Sequence, residues 1–146
     1  SKEIWNIREN ISEAQRKDGA SIKNDISVPI FAVGEFIKKA DLIVSKEIPK
    51  AKNITFGHLG DGNIHYNIAQ PKDLDKESFL KLENILRKKL LSLVVRMDGS
   101  FSAEHGIGIA RKKDALQIKG DEIRIMKNIK KSLDPKNILN PGKIFD

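Results

Sequence analysis

The chain has 146 residues and no cysteine, which excludes two full domains, disulfides, thiolate metal sites and a cysteine nucleophile. With 39 % hydrophobic and 32 % charged residues it is too apolar for a disordered chain, and no apolar run reaches bilayer length. Its net charge of +7 is a weak pointer to nucleic acid, because the excess is mostly lysine mixed with acids, as from Lys72 to Lys89, and aromatics are only 5 %; attraction of a small anion is the simpler use of that charge.

In chain order, residues 2 to 17 read as a helix, with Ile4, Ile7, Ile11 and Ala14 at helical spacing and Gly19 as a stop. Its start shows no apolar segment of a secretory leader, and a chain that begins without Met is expected to be a fragment. Ser21 to Val28 alternates, with Ile22, Asn24, Ile26 and Val28 on one side and Lys23, Asp25 and Ser27 on the other, which predicts a strand ended by Pro29. Pro29 opens a helix from Ile30 to Glu47 with a stripe through Val33, Phe36, Ile37 and Ala40. Two strands follow, Asn53 to Leu59 and Ile64 to Ala69. A helix from about Leu74 to Met97 carries Phe79, Leu82, Leu86, Leu90, Leu93 and Val94 on one face. A short strand over Ser100 to Ala103 precedes a mostly helical stretch to Leu133. Strand, helix, strand, strand, helix, strand over about 21–104 is the split βαβ or ferredoxin-like order, so the expected class is α+β, with an N-terminal helix at about 2–17 and a helical tail at about 105–146 added to that unit. Residues 1–146 are expected to form a single domain.

The most informative segment is Gly57-His58-Leu59-Gly60-Asp61-Gly62-Asn63-Ile64-His65-Tyr66-Asn67. Asp-Gly between β-rich runs predicts a two-residue type I′ turn, which sets His58 opposite His65 with Cβ atoms about 4.5–5.5 Å apart. Asn67 shares their face, and Leu59, Ile64, Tyr66 and Ile68 supply the core. Two imidazoles at one level predict a metal or substrate site, against the alternative of ordinary hydrogen-bonded histidines. A catalytic ion needs a third ligand. Ser102-Ala103-Glu104-His105-Gly106 offers Glu104, completing a His2Glu set with an open coordination position, and leaves His105 as a base. The alternative for Glu104 is a surface carboxylate. Gly57, Gly60, Gly62, Gly99, Gly106 and Gly108 cluster around these residues, as expected where backbone approaches a ligand closely.

These segments, together with Gly99-Ser100-Phe101-Ser102-Ala103-Glu104-His105-Gly106-Ile107-Gly108 and Leu133-Asp134-Pro135-Lys136-Asn137-Ile138-Leu139-Asn140-Pro141-Gly142-Lys143, resemble the C-terminal portion of the FAD-linked 2-hydroxy acid dehydrogenases and oxidases. Within that family the early segment, Trp5-Asn6-Ile7-Arg8-Glu9, Ser12-Glu13-Ala14 and Lys23-Asn24-Asp25-Ile26-Ser27-Val28-Pro29, is most similar to the D-2-hydroxyglutarate branch, ahead of the D-lactate and glycolate branches. The resemblance implies metal ligands at His58, His65 and Glu104, a catalytic base at His105 and substrate contacts from Arg8, Ser12, Lys23 and Asn67. The family has Thr more often at the position of Ser12. It implies a divalent metal, zinc by preference, and FAD held mainly by an N-terminal domain that this chain lacks, so the isolated chain is expected to be inactive. The implied reaction is oxidation of a D-2-hydroxy acid to the 2-oxo acid by hydride transfer to FAD.

The rivals are D-lactate or glycolate as substrate, and, from another class, a ferredoxin-like nucleic-acid-binding module. That module needs exposed aromatics, and the candidate strands carry only Phe56, Tyr66 and Phe101. A metal-binding or regulatory domain with no chemistry of its own is a third. The expected setting is cytoplasmic or peripheral to the inner membrane, with a homodimer left open and no nucleic-acid partner.

Overall fold

The computed structural model describes residues 2–17 and 19–144, without the side chains of residues 12, 16 and 17. By their internal contacts the residues divide into two compact units, Ser1–Ala103 and Glu104–Asp146. Among the described residues no helix is long and apolar enough to cross a membrane.

In the first unit, helix α1 (Lys2–Lys17) precedes β1 (Ser21–Ile22) and β2 (Asp25–Ser27), helix α2 (Val33–Glu47), the hairpin β3 (Lys52–His58) and β4 (Asn63–Ala69), and helices α3 (Lys76–Lys81) and α4 (Glu83–Arg96). The sheet is antiparallel, with β4 between β3 on one side and β1 and β2 on the other. The expected strand over 21–28 is interrupted at Lys23-Asn24, yet the pairing with β4 keeps one register on both sides of the break. Asn24 bridges the gap: its carbonyl accepts the Tyr66 N–H at 2.9 Å and its Nδ2 donates to the Tyr66 carbonyl at 2.9 Å. The final strand shrinks to a single bridge, Ser27 with Ser100. Its place beside β2 completes the ferredoxin-like order, so the α+β class holds.

One face of the sheet carries the core. Ile22, Ile26, Ile64, Tyr66 and Ile68 pack with Phe36, Ala40 and Val44 of α2 and with Leu86, Leu90, Leu93 and Val94 of α4, each large side chain contributing about 1.5–3 kcal/mol of burial. The helical stripes expected on these two segments are the ones buried, except that Ile37 and Leu82 are only partly so. The second helix differs in detail, breaking at Leu82 into α3, whose start Asp75 caps by accepting the Ser78 N–H at 2.9 Å, and α4. Tyr66, fully buried, lies edge-on to Phe36 with centroids 5.9 Å apart. Its hydroxyl donates to Asp41 Oδ1 at 2.8 Å, which Asn53 Nδ2 also reaches at 2.6 Å. Burial first, then this carboxylate, push the phenol well above its ordinary range.

Helix α1 departs from its expected apolar stripe. Ile4 and Ile7 are 72 % and 69 % exposed and Ala14 is exposed, whereas Gln15 is only 6 % exposed. The reason is the surface the helix meets: it lies on the polar face of the sheet, where hydrogen-bonding side chains are the better partners.

The second unit holds helices α5 (Lys112–Ile118) and α6 (Gly120–Leu133). The expected helical tail is thus helical only over these spans; Glu104 to Arg111 forms bends and turns.

Candidate functional site

Because antiparallel partners share a face, the strand register decides what the polar side of the sheet contains. The loop between β3 and β4 overturns the expected two-residue turn. Leu59–Asp61 form a turn of 3-10 helix and only Gly62 adopts positive φ, at 74°. Asp61 stays right-handed and its Oδ1 accepts the Asn63 N–H at 3.0 Å, a local bond that favours this longer loop over the type I′ turn. The last ladder pair is therefore His58 with Asn63, and His65 pairs with Phe56. His58 and His65 keep a common face, since the shift is by two residues, but they are diagonal neighbours, typically about 7–8 Å apart or somewhat less between Cβ atoms, rather than directly opposed. Leu59, expected in the core, lies in the loop and is 65 % exposed.

Three rows cross this face. His58 and Asn63 continue to Ser27; Phe56 and His65 continue to Asp25; Ile54 and Asn67 continue, by the unbroken register, to the level of Lys23. Asp25, placed on the polar side by its alternation but given no role, is 5 % exposed, and its Oδ2 accepts the N–H of Ala103, the residue before Glu104, at 3.2 Å. The His65 ring lies 5.1 Å from the Phe56 ring, tilted by 36°. From α1, Arg8 sets its guanidinium carbon 5.2 Å from the Phe56 centroid, within cation–π range. Seven residues later on the same helix face, Gln15 Oε1 accepts the Asn67 Nδ2–H at 3.0 Å. The first unit thus assembles Arg8, His58, His65 and Asn67 on one face, with Lys23 exposed in the break between β1 and β2. Ser12 lies one turn after Arg8 on α1, but its side chain falls outside the described residues.

Sequence reasoning missed Phe56, Asp25 and Gln15. The true register would have marked the first two as the partners of His65; a buried Gln on a helix face offers no such signal. Of the clustered glycines, Gly57, Gly62 and Gly99 are demanded by neighbouring backbone, at Asn63, Val28 and Ser27, whereas Gly60, Gly106 and Gly108 face open space. The glycine cluster therefore reports close packing of strands and loops at three of its six positions.

In the second unit Glu104 and His105 are exposed within the segment that precedes α5. The Leu-Asp-Pro motif that closes this unit has a structural explanation. Asp134 accepts the N–H groups of Ile138 at 2.9 Å and Leu139 at 2.8 Å and pairs with Lys130, whose Nζ also donates to the Leu139 carbonyl at 2.7 Å. The Lys130 ammonium first, then these amides, lower its carboxyl from the ordinary 3.8 to about 2. A depressed carboxyl contributes stability that is complete above the ordinary value and lost as pH falls through about 2. Asp134→Asn should therefore speed amide exchange at Ile138 and Leu139 at pH 7 and abolish the acid-dependent loss of their protection between about pH 4 and 2; unchanged protection at pH 7 would show that the carboxylate does not hold this turn.

The family model described as FAD linked oxidases, C-terminal domain, matches residues 1–144. The chain is 42 % identical over 144 residues to D-2-hydroxyglutarate dehydrogenase of Stutzerimonas stutzeri, covering 97 % of this chain and 31 % of that protein. It is 37 % identical over 145 residues to the enzyme of the same name from Xanthomonas citri pv. viticola, covering 99 % and 30 %. To the mitochondrial D-2-hydroxyglutarate dehydrogenase of Arabidopsis thaliana it is 36 % identical over 143 residues, covering 97 % and 24 %. The chain thus spans a third or less of the length of these curated relatives.

Proposed function

The chain belongs to the family of FAD-linked oxidase C-terminal domains, and from that premise we propose that it is the substrate- and metal-binding part of a longer flavoprotein that oxidises D-2-hydroxyglutarate to the 2-oxo acid. The observation that carries this reading is similarity across 97 % or more of the chain to two bacterial proteins named for that activity. A polar sheet face bearing two cations, Arg8 and Lys23, suits a substrate with two carboxylates. The aromatic side chains of the strands are committed elsewhere, Tyr66 in the core and Phe56 beneath Arg8, which favours a small anion over stacked nucleobases.

Two imidazoles and a carboxylate, His58, His65 and Glu104, are a donor set that would hold a divalent metal, zinc in particular. His65 stands directly across the ladder from buried Asp25, a carboxylate placed as an imidazole-orienting neighbour commonly is. When bound, such a metal would polarise the 2-hydroxyl and lower its pKa. FAD, held mainly by the remainder of the protein, would take the hydride that leaves C2. The protein's own groups do the rest. Arg8, kept over Phe56, offers its guanidinium to a carboxylate; Lys23 adds a second cation; Asn67, and Ser12 by the family resemblance, would hydrogen-bond the bound acid. His105 accepts the hydroxyl proton, so that proton and hydride leave separately and the ketone forms.

In the full-length protein, kcat/KM for D-2-hydroxyglutarate should exceed that for D-lactate and for glycolate by at least about a hundredfold, one additional charge-assisted carboxylate contact being worth roughly that much. Steady-state kinetics with the three acids checks this, and a preference for either monocarboxylate would assign the chain to another branch of the family.

A further inference from the structure

Gln15 presents a feature that none of the assigned roles uses. It is 6 % exposed, and its Oε1 is engaged by Asn67 at 3.0 Å, but its Nε2 has no hydrogen-bond partner among the described residues. A buried amide donor left unmatched is unfavourable, and such groups persist where a ligand or ordered water completes them. Its surroundings say what would complete it. Asn67, itself 5 % exposed, fixes the amide above β4, and the level of Asn67 on the ladder continues, by the register of β1 and β2, to Lys23 in the break between those strands. Arg8 lies on the same face of α1, two turns earlier. A donor beside a second amide, on a face that also carries two cations, calls for an anionic acceptor, and a carboxylate is the matching chemistry. Asn67 is two residues from His65 along β4, a separation of about 7 Å on one strand face, comparable with the span of a five-carbon diacid whose reacting end lies by the histidine.

We infer that Gln15 is a specificity-determining residue whose Nε2–H donates to the substrate carboxylate remote from the reacting carbon. The inference deepens the dehydrogenase reading above and rests on it.

The test uses the full-length protein with D-2-hydroxyglutarate as probe. Gln15→Glu keeps an oxygen for the Asn67 N–H while exchanging the donor for an anion. Its KM should rise about thirtyfold at neutral pH with kcat within about threefold of wild type, a loss in the range of a hydrogen bond to a charged group. At acid pH the new carboxyl takes up a proton and becomes a donor, so the penalty relative to wild type should shrink. Gln15→Met, neutral and of similar length, should raise KM about tenfold with no acid recovery, and it carries the test if the Glu variant does not fold. Wild-type KM in the variants, meaning that trapped water satisfies Nε2, overturns the inference, as does a fall in thermal stability and kcat with KM unmoved, the mark of a purely structural residue. A wild-type protein that does not oxidise D-2-hydroxyglutarate overturns the dehydrogenase reading and this inference together, whereas normal turnover with indifferent Gln15 variants overturns the inference alone.

Discussion

Replacing His65 by Ala in the full-length protein is expected to lower kcat/KM for D-2-hydroxyglutarate by about a thousandfold, the order of a lost metal ligand at a site supplying several kcal/mol, and to reduce the zinc content of the purified protein. His65 occupies the middle of the polar face: Asp25 is its ladder partner on one side, Phe56 its partner on the other, and its ring leans on the Phe56 ring at 5.1 Å. It belongs to none of the core contacts, which are made by its neighbours Ile64 and Tyr66 on the opposite face. The variant should therefore fold with little change in its unfolding midpoint, separating loss of chemistry from loss of structure. Elemental analysis, turnover and thermal unfolding of one preparation provide the check. Full turnover with unchanged metal content would remove His65 from the ligand set and with it the proposed centre.

The second large effect is on stability. Gly62→Ala should destabilise the chain by about 4 kcal/mol, in the range reserved for special backbone positions. Two costs coincide. Gly62 has φ 74°, in the left-handed region that an added Cβ disfavours by about 1–2 kcal/mol. A Cβ there would also lie 1.9 Å from the Val28 carbonyl oxygen, backbone that cannot rotate away, in a contact closed by the Val28 N–H donating to the Gly62 carbonyl at 3.1 Å. Gly60, two residues earlier in the same loop, has open space around its position and no positive φ, so Gly60→Ala should change stability by less than about 0.5 kcal/mol. Denaturant unfolding of the two variants distinguishes a loop held by its packing from one that merely tolerates glycine. Equal stabilities would show that the hairpin end does not depend on the approach of Val28.

Much of this architecture is legible in the residues because burial repeats at the period of the element. The stripes Val33, Phe36, Ala40 and Phe79, Leu86, Leu90, Leu93, Val94 are the ones the sheet covers, and the alternation Ile64, Tyr66, Ile68 places the core on one side of β4. Amphipathicity read from α1 pointed the other way, since Ile4 and Ile7 remain exposed while Gln15 is buried. A helix that meets a polar sheet face has its orientation chosen by hydrogen bonds and by the Arg8–Phe56 contact, neither of which leaves a periodic signature.

The amino-acid sequence by itself determined the α+β order of elements, the pairing of β3 with β4, and the assignment of His58, His65 and Asn67 to one face, because side-chain alternation along a strand survives any even shift of register. Tertiary structure alone decided which residue stands opposite which. The Asp61 side chain bonded within its own loop and the Val28 backbone seated against Gly62 lengthened the turn to four residues, moved His58 opposite Asn63, and set Asp25 and Phe56 on either side of His65. The Asp61 bond is local to its loop, but the approach of Val28 to Gly62 joins segments far apart in the chain, which no local pattern of residues encodes.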